Sequence, residues 1–210
     1  MMTSMESLES YLDRLASDAA VPGGGSAAAV SGAMGAALVA MVARIAKANP
    51  RNADNAEALE IIAGRADDLR AQLTKARALD EAAYQGVVNA QSMPKDNPEQ
   101  ERDRRQALED ALARAAEEPL RSAKLNLELL QVASRLLDFP VSALSSDIGS
   151  AAELAASSLT SCAYNVRVNH KYMRDAETVT LQRDALSETQ TQGNALLERI
   201  RTAISSRLAP

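Results

Sequence analysis

Between Val21 and Ala43 the chain carries no charged residue, and most of that stretch is Ala, Gly and Ser. It opens on Pro22-Gly23-Gly24-Gly25-Ser26 and continues through small and apolar residues. Three adjacent glycines let the backbone bend freely and let another group approach closely, at an entropic cost. The run that follows reads as a helix. Ser26 is placed to cap it, and the unpaired N–H groups of its first turn suit an anionic or carbonyl-bearing ligand. A tight turn between two helices and a ligand loop both satisfy the triplet. Ala28, Gly32, Gly35 and Ala36 recur at helical spacing, so a second helix can pack with its backbone unusually close. The stretch is long enough to span a bilayer, but its small residues give little drive for insertion. It reads as a buried helix with no membrane role. Nor is it a nucleotide P-loop, since no Lys follows the glycines and no strand precedes them.

With 46% hydrophobic but only 2% aromatic residues, the core must be built from Ala, Leu, Val, Ile and Met, which demands closely packed helices. A length of 210 residues suits a single domain spanning 1–210. One cysteine, Cys162, excludes an internal disulfide, and with a single histidine, His170, it makes a conventional zinc site untenable. No metal is expected. The net charge of -5 supplies no basic field for nucleic acid, and the four Tyr and one Phe are scattered and form no stacking platform. Glu6 and Glu9 stand where a signal peptide needs positive charge, so a cytoplasmic protein is expected.

Periodicity and breakers set out about six helices. The first spans Ser4 to Ala16, with Leu8, Tyr11, Leu12 and Leu15 on one apolar face. The Gly/Ala-rich helix runs from Ser26 to Ala48 and is stopped by Asn49-Pro50. A long third helix extends from Asn52 to Gln91. The segment from Ser92 to Pro98, with two prolines, is the clearest break. A fourth helix starts at Pro98, reaches Leu137 and should kink at Pro119, where an N–H is missing. Phe139-Pro140 separates it from a fifth helix, Ser142 to His170, and the last covers Ala176 to Arg207. No segment alternates with period two. The expected architecture is all-α, an up-and-down bundle.

Among side chains such a bundle can bring to the glycine loop, Asp80 stands out. Leu79, Ala82 and Ala83 flank it and Tyr84 lies one turn on, so its carboxyl can be desolvated, raised in pKa and fit for acid–base work. Arg77 and Glu81 equally make it one member of a solvated charge face. Asn165 and Asn169, one turn apart, can hydrogen-bond the edge of a flat heterocycle or mark a fraying helix end. Asp147, behind Ser145 and Ser146, reads as a local cap, and His170 as a surface imidazole. Lys95, on the Pro-rich loop with Arg102, Arg104 and Arg105 downstream, can receive substrate carboxylates or belong to an ordinary charged surface.

In chain order, Pro22-Gly23-Gly24-Gly25-Ser26, Gly32-Ala33-Met34-Gly35-Ala36-Ala37, Asp80-Glu81-Ala82-Ala83-Tyr84, Met93-Pro94-Lys95 with Asp103-Arg104-Arg105, Ser146-Asp147-Ile148-Gly149 and Asn165-Val166-Arg167-Val168-Asn169 resemble the folate cyclodeaminase and methenyltetrahydrofolate cyclohydrolase family over nearly the whole chain. The resemblance implies an all-helical homodimer acting on the carbon held between N5 and N10 of tetrahydrofolate, with no prosthetic group and no metal. It matches the family's catalytic aspartate to Asp80. Gly23, Gly24, Gly25, Ser26, Tyr84, Lys95, Asn165 and Asn169 are then expected to bind the tetrahydrofolate derivative, with Lys95 meeting its carboxylates. Three departures stand out: Ala82 replaces a Glu common two residues after the aspartate, Lys47-Ala48-Asn49-Pro50-Arg51 is less basic than in relatives, and a Gly-Asn pair is missing from Leu136 to Ser145. Without an attached formiminotransferase domain, hydrolysis of 5,10-methenyltetrahydrofolate is the expected activity. Ring closure of 5-formiminotetrahydrofolate and non-catalytic folate binding by a helical dimer are the alternatives.

Overall fold

The computed structural model describes residues 6–209. It contains six α-helices: α1 (Leu8–Leu15), α2 (Gly24–Ala48), α3 (Ala56–Gln91), α4 (Pro98–Arg135), α5 (Ser145–His170) and α6 (Ala176–Leu208). No strand occurs among the described residues. The expected helices are all present, with shorter ends where 3-10 turns intervene. Pro50–Asn55 forms one such turn before α3, and Leu136–Asp138 and Ser142–Leu144 form two between α4 and α5. The expected start of the first helix at Ser4 lies outside the described residues.

Paired contacts fix the topology. Lys47 meets Glu60 and Gly25 meets Asp80, so α2 and α3 are antiparallel. Arg104 reaches Gln91 and Arg65 reaches Glu128, so α3 and α4 are too. The same holds for α4 and α5 through Asn169 with Ala115 and Asn126 with Ser158. Helix α5 then packs back on α2, closing an up-down-up-down ring, and α6 lies outside against α4 and α5.

Small residues on α2 set the inter-helix spacing. A Cβ at Gly35 would stand 3.0 Å from the carbonyl oxygen of Ala151 on α5, and one at Gly32 would collide with the Asn126 side chain of α4. Asn126 is fully buried; its amide donates to the Ser122 carbonyl and the Ser158 hydroxyl, each at 2.8 Å, and Ser158 donates onward to the Ala28 carbonyl at 2.6 Å. This buried polar link ties α4, α5 and α2 at one height, and in a low dielectric it resists being pulled apart. Helix α2 has the length and hydropathy of a membrane span, mean hydropathy 1.8, yet over half of that window is buried inside the bundle.

One expectation changes, at α1. Tyr11 alone of the α1 face is buried, while Leu8 and Leu12 are exposed, because α1 docks by polar contacts instead of leucine packing. Helix α4 continues through a buried Pro119 in one helix, Pro98–Arg135.

Candidate active site

The antiparallel ring gathers the start of α2, the second half of α3, the middle of α4 and the end of α5 at one end of the bundle. Between them lies a cavity of about 570 Å³ lined by the glycine loop, Asp80, Tyr84, Leu108, Leu112, Asn165, Asn169 and Tyr172, among others. That size suits one small organic molecule. Apolar groups form most of its wall, and a small cluster of Val87, Ala90, Ala111, Leu112 and Ala115 between α3 and α4 supports it. Among the described residues, Asp80 is the one charged residue in the lining.

Gly25 of the triplet is needed because Asp80 leans directly on it. A Cβ at Gly25 would stand 2.7 Å from Oδ2 of Asp80, and the other carboxylate oxygen closer still, so only glycine fits. Gly23, not Ser26, is the N-cap of α2, and no side chain caps the helix. Ser26 sits in the first turn with its backbone N–H facing the Asp80 carboxylate. The positive end of α2 therefore faces the protein's own carboxylate. The Ser26 hydroxyl donates to Glu81 Oε1 at 3.1 Å and lies 3.0 Å from the Tyr11 hydroxyl, all away from the cavity.

Burial pushes the Asp80 carboxyl up to about 6; the Ser26 N–H opposes this, while the charges of Glu81 and Glu118 add to it. The charged-face alternative for Asp80 does not match the contacts, since Arg77 turns to α1, donating to Glu6 at 2.7 Å and stacking on the Tyr11 ring. Beneath Asp80, the thiol of Cys162 is buried and pushed up to about 12, chiefly by desolvation and also by the Asp80 charge. It stays a neutral packing group.

Asn165 and Asn169 both line the cavity, and α5 stays helical through them. Asn165 donates its amide to the Ser161 carbonyl at 2.8 Å. Asn169 donates to the Asn165 carbonyl at 2.8 Å and to the Ala115 carbonyl at 2.9 Å. The Ala115 carbonyl is open to it because its usual helical partner is the N–H four residues on, and that residue is Pro119. With both amide hydrogens of Asn169 taken, its oxygen is left to accept from a ligand.

Of the expected binding residues, Gly23, Gly24, Gly25, Tyr84, Asn165 and Asn169 line the cavity. Ser26 lies behind the loop, fully buried. Lys95 is exposed on the loop between α3 and α4, outside the lining, because that loop leaves the bundle beyond Gln91. Arg104 holds the rim instead, donating to the Gln91 carbonyl at 3.1 and 3.2 Å. His170 bonds Gln182 of α6 at 2.8 Å, and Asp147 lies in the first turn of α5 without capping it. Sequence reasoning missed Leu108, Leu112, Tyr172 and the field of Glu118. Only the helical pairing of Pro119 with Ala115 carried a readable signal. Among the described residues no group of three His, Cys, Asp or Glu side chains is placed to hold a metal ion.

Residues 7–188 match the family model described as formiminotransferase-cyclodeaminase. The chain belongs to the formiminotransferase-cyclodeaminase family. Within and around that family, it is 33% identical over 207 residues to a methenyltetrahydrofolate cyclohydrolase of Methylorubrum extorquens, covering 99% of this chain and 100% of that one. It is 28% identical over 197 residues to the formimidoyltransferase-cyclodeaminase of Sus scrofa, covering 92% of this chain and 36% of the porcine protein. The crystal structure of a formiminotetrahydrofolate cyclodeaminase from Thermotoga maritima superposes with a TM-score of 0.89 at 25% identity over 98% of both chains. The all-α bundle is thus a formiminotransferase-cyclodeaminase family fold over residues 7–188.

Proposed function

We propose that this chain hydrolyses 5,10-methenyltetrahydrofolate to 10-formyltetrahydrofolate, with Asp80 moving the protons. The observation that carries this reading is a half-buried carboxyl with a pKa of about 6, seated as the one charge in a cavity of substrate size. End-to-end similarity to the Methylorubrum extorquens cyclohydrolase supports hydrolysis as the reaction.

The cationic methenyl carbon is held near the Asp80 carboxylate, whose charge favours it in a mostly apolar cavity. Asp80 takes a proton from water as the water oxygen bonds to that carbon, leaving a neutral tetrahedral carbinolamine and a protonated Asp80. The carbon–N5 bond then breaks, N5 takes the proton from Asp80, and the carbinol O–H loses its proton to solvent as the N10-formyl carbonyl forms. One proton is released overall. A pKa near 6 suits a group that must both accept and return a proton near neutrality. Asn165 and Asn169 present amide oxygens to N–H donors on the ring edge, and Tyr84 and Tyr172 flank the mouth. The glutamate carboxylates point outward, toward Arg104 at the rim and Lys95 on the loop beyond it. No prosthetic group enters these steps.

The likeness to the Thermotoga maritima enzyme supports a second reading: N10 attacks the carbon of a 5-formimino group, and Asp80 gives its proton to the departing ammonia. We further propose a homodimer formed through the exposed face of α2, where Met34, Met41 and Ile45 are open. A cytoplasmic setting suits its lone buried thiol. Purified protein given each folate separately tests the reaction. Accelerated loss of methenyl absorbance without ammonia supports the hydrolase; ammonia release and a rise in methenyl absorbance from 5-formiminotetrahydrofolate supports the cyclodeaminase; binding without either leaves a folate-binding protein.

A further inference from the structure

Asp80 and Glu81 are consecutive on α3, so their side chains project about 100° apart and cannot serve the same wall. Asp80 lines the cavity, whereas Glu81 turns into the seam between α1 and α2. Both nevertheless face the same turn of α2. Asp80 lies against Gly25 with the Ser26 backbone N–H facing its carboxylate, and the Ser26 hydroxyl donates to Glu81 Oε1 at 3.1 Å. Because that hydroxyl proton is committed, the Tyr11 hydroxyl, 3.0 Å away, donates to Ser26. Arg14 occupies the second oxygen of Glu81 at 2.7 Å. Ser26 is fully buried, and none of Tyr11, Arg14, Ser26 or Glu81 lines the cavity.

A glycine triplet has no side chains with which to anchor itself. Its position against Asp80 depends on what grips the next residue, and that residue is Ser26. We infer that Glu81 is a positioning residue: by seizing the Ser26 hydroxyl it fixes the glycine loop and the Ser26 N–H against Asp80, so that the reacting carboxylate keeps one orientation toward the cavity. This rests on the reading of Asp80 as the proton-moving group. It also assigns α1 a task, since Tyr11 and Arg14 complete the clamp from that helix.

Glu81 acts on Asp80 by charge as well. The groups facing Asp80 are the Ser26 N–H from α2, Glu81 on α3, Glu118 from α4, which pairs with Arg121 at 2.7 Å, and the neutral Cys162 thiol from α5. Facing Glu81 are Arg14 and Tyr11 from α1 and Ser26 from α2; Glu6 stands behind Arg14 at 3.5 Å. Removing the Glu81 charge while keeping its hydrogen bond should therefore ease ionisation of Asp80.

Glu81→Gln, Glu81→Leu, Ser26→Ala and Asp80→Asn separate these effects, each read by the pH profile of methenyltetrahydrofolate hydrolysis and by carbon-13 NMR titration of the Asp80 carboxyl in the unliganded protein. Glu81→Gln still accepts the Ser26 hydroxyl; it should lose less than about threefold in kcat while the Asp80 midpoint moves to lower pH. Glu81→Leu should lose about tenfold or more in kcat with a smaller change in KM, as a misplaced acid–base group demands. Ser26→Ala should lose about five- to tenfold in kcat with the midpoint much less displaced, since the Glu81 charge remains. A wild-type midpoint in Glu81→Gln together with wild-type kcat in Glu81→Leu and Ser26→Ala overturns the inference. If Asp80→Asn hydrolyses substrate as fast as wild type, the catalytic reading of Asp80 fails, and the NMR midpoint in Glu81→Gln still decides whether Glu81 acts on Asp80.

Discussion

At the residue scale, Asp80 is a carboxyl kept in a place that favours its neutral form. Its folded pKa of about 6 lies above the ordinary aspartate value of 3.8, so between those values the native state binds more protons than the unfolded chain. Stability must then fall as pH rises from about 4 to 6 and stay reduced above. Asp80→Asn removes that penalty with little change of shape. The variant should match wild type near pH 4 and exceed it at pH 7 by on the order of 2 kcal/mol, as chemical denaturation at the two pH values would show. A constant difference across this range would contradict the assigned environment. In the sequence its apolar neighbours suggested a raised pKa but left a solvated charge face equally open, and the family resemblance singled the residue out. The contacts that desolvate it were not legible, because Glu118 lies on another helix and Gly25 touches it only once α2 and α3 are folded together. Ser26 was misread as a cap for a similar reason: Glu81, on α3, claims the hydroxyl that a local reading gives to the helix end.

At the element scale, α4 shows how a helix breaker opens a link to a neighbouring helix. Pro119 leaves the Ala115 carbonyl without its helical partner, and Asn169 of α5 takes it at 2.9 Å. Removing Asn169 as Ala strands that carbonyl in the wall, at a cost of about 1–3 kcal/mol. Adding Pro119→Ala restores the N–H and should recover part of the loss, so a double-mutant cycle of denaturation midpoints should give a coupling above about 0.5 kcal/mol. Strict additivity would show that the two helices are not linked here. The sequence revealed the missing N–H and the paired asparagines but not their meeting. Periodicity and prolines located all six helices, since those signals are local. The small-residue face of α2 likewise announced its close neighbours. The 3-10 turns before α3 and α5 escaped notice because the same residues also continue a helical pattern. Helix α1 was credited with a leucine face, whereas Tyr11, Arg14 and their partners on α2 and α3 hold it in place.

At the scale of the whole molecule, an up-and-down ring necessarily brings the start of α2, the second half of α3 and the end of α5 to one end. That consequence of topology assembles the glycine loop, Asp80, Asn165 and Asn169 from segments over 50 residues apart at the nearest. It leaves Lys95 outside, because the loop that bears it lies past the end of the ring. The outer face of α2 remains apolar, with Met34, Met41 and Ile45 exposed. If this face joins two copies, Met41→Glu with Ile45→Glu should convert a dimer to a monomer in light scattering while the helical circular dichroism persists; an unchanged mass would place the interface elsewhere.

Whether Asp80, at the glycine loop, carries the hydrolysis is decided by following the near-ultraviolet absorbance of 5,10-methenyltetrahydrofolate at neutral pH with wild-type protein, with Asp80→Asn and with buffer alone. Wild type should show loss well above the uncatalysed rate, and the variant a drop of about a hundredfold or more toward that rate. Equal rates for the two proteins would contradict that role.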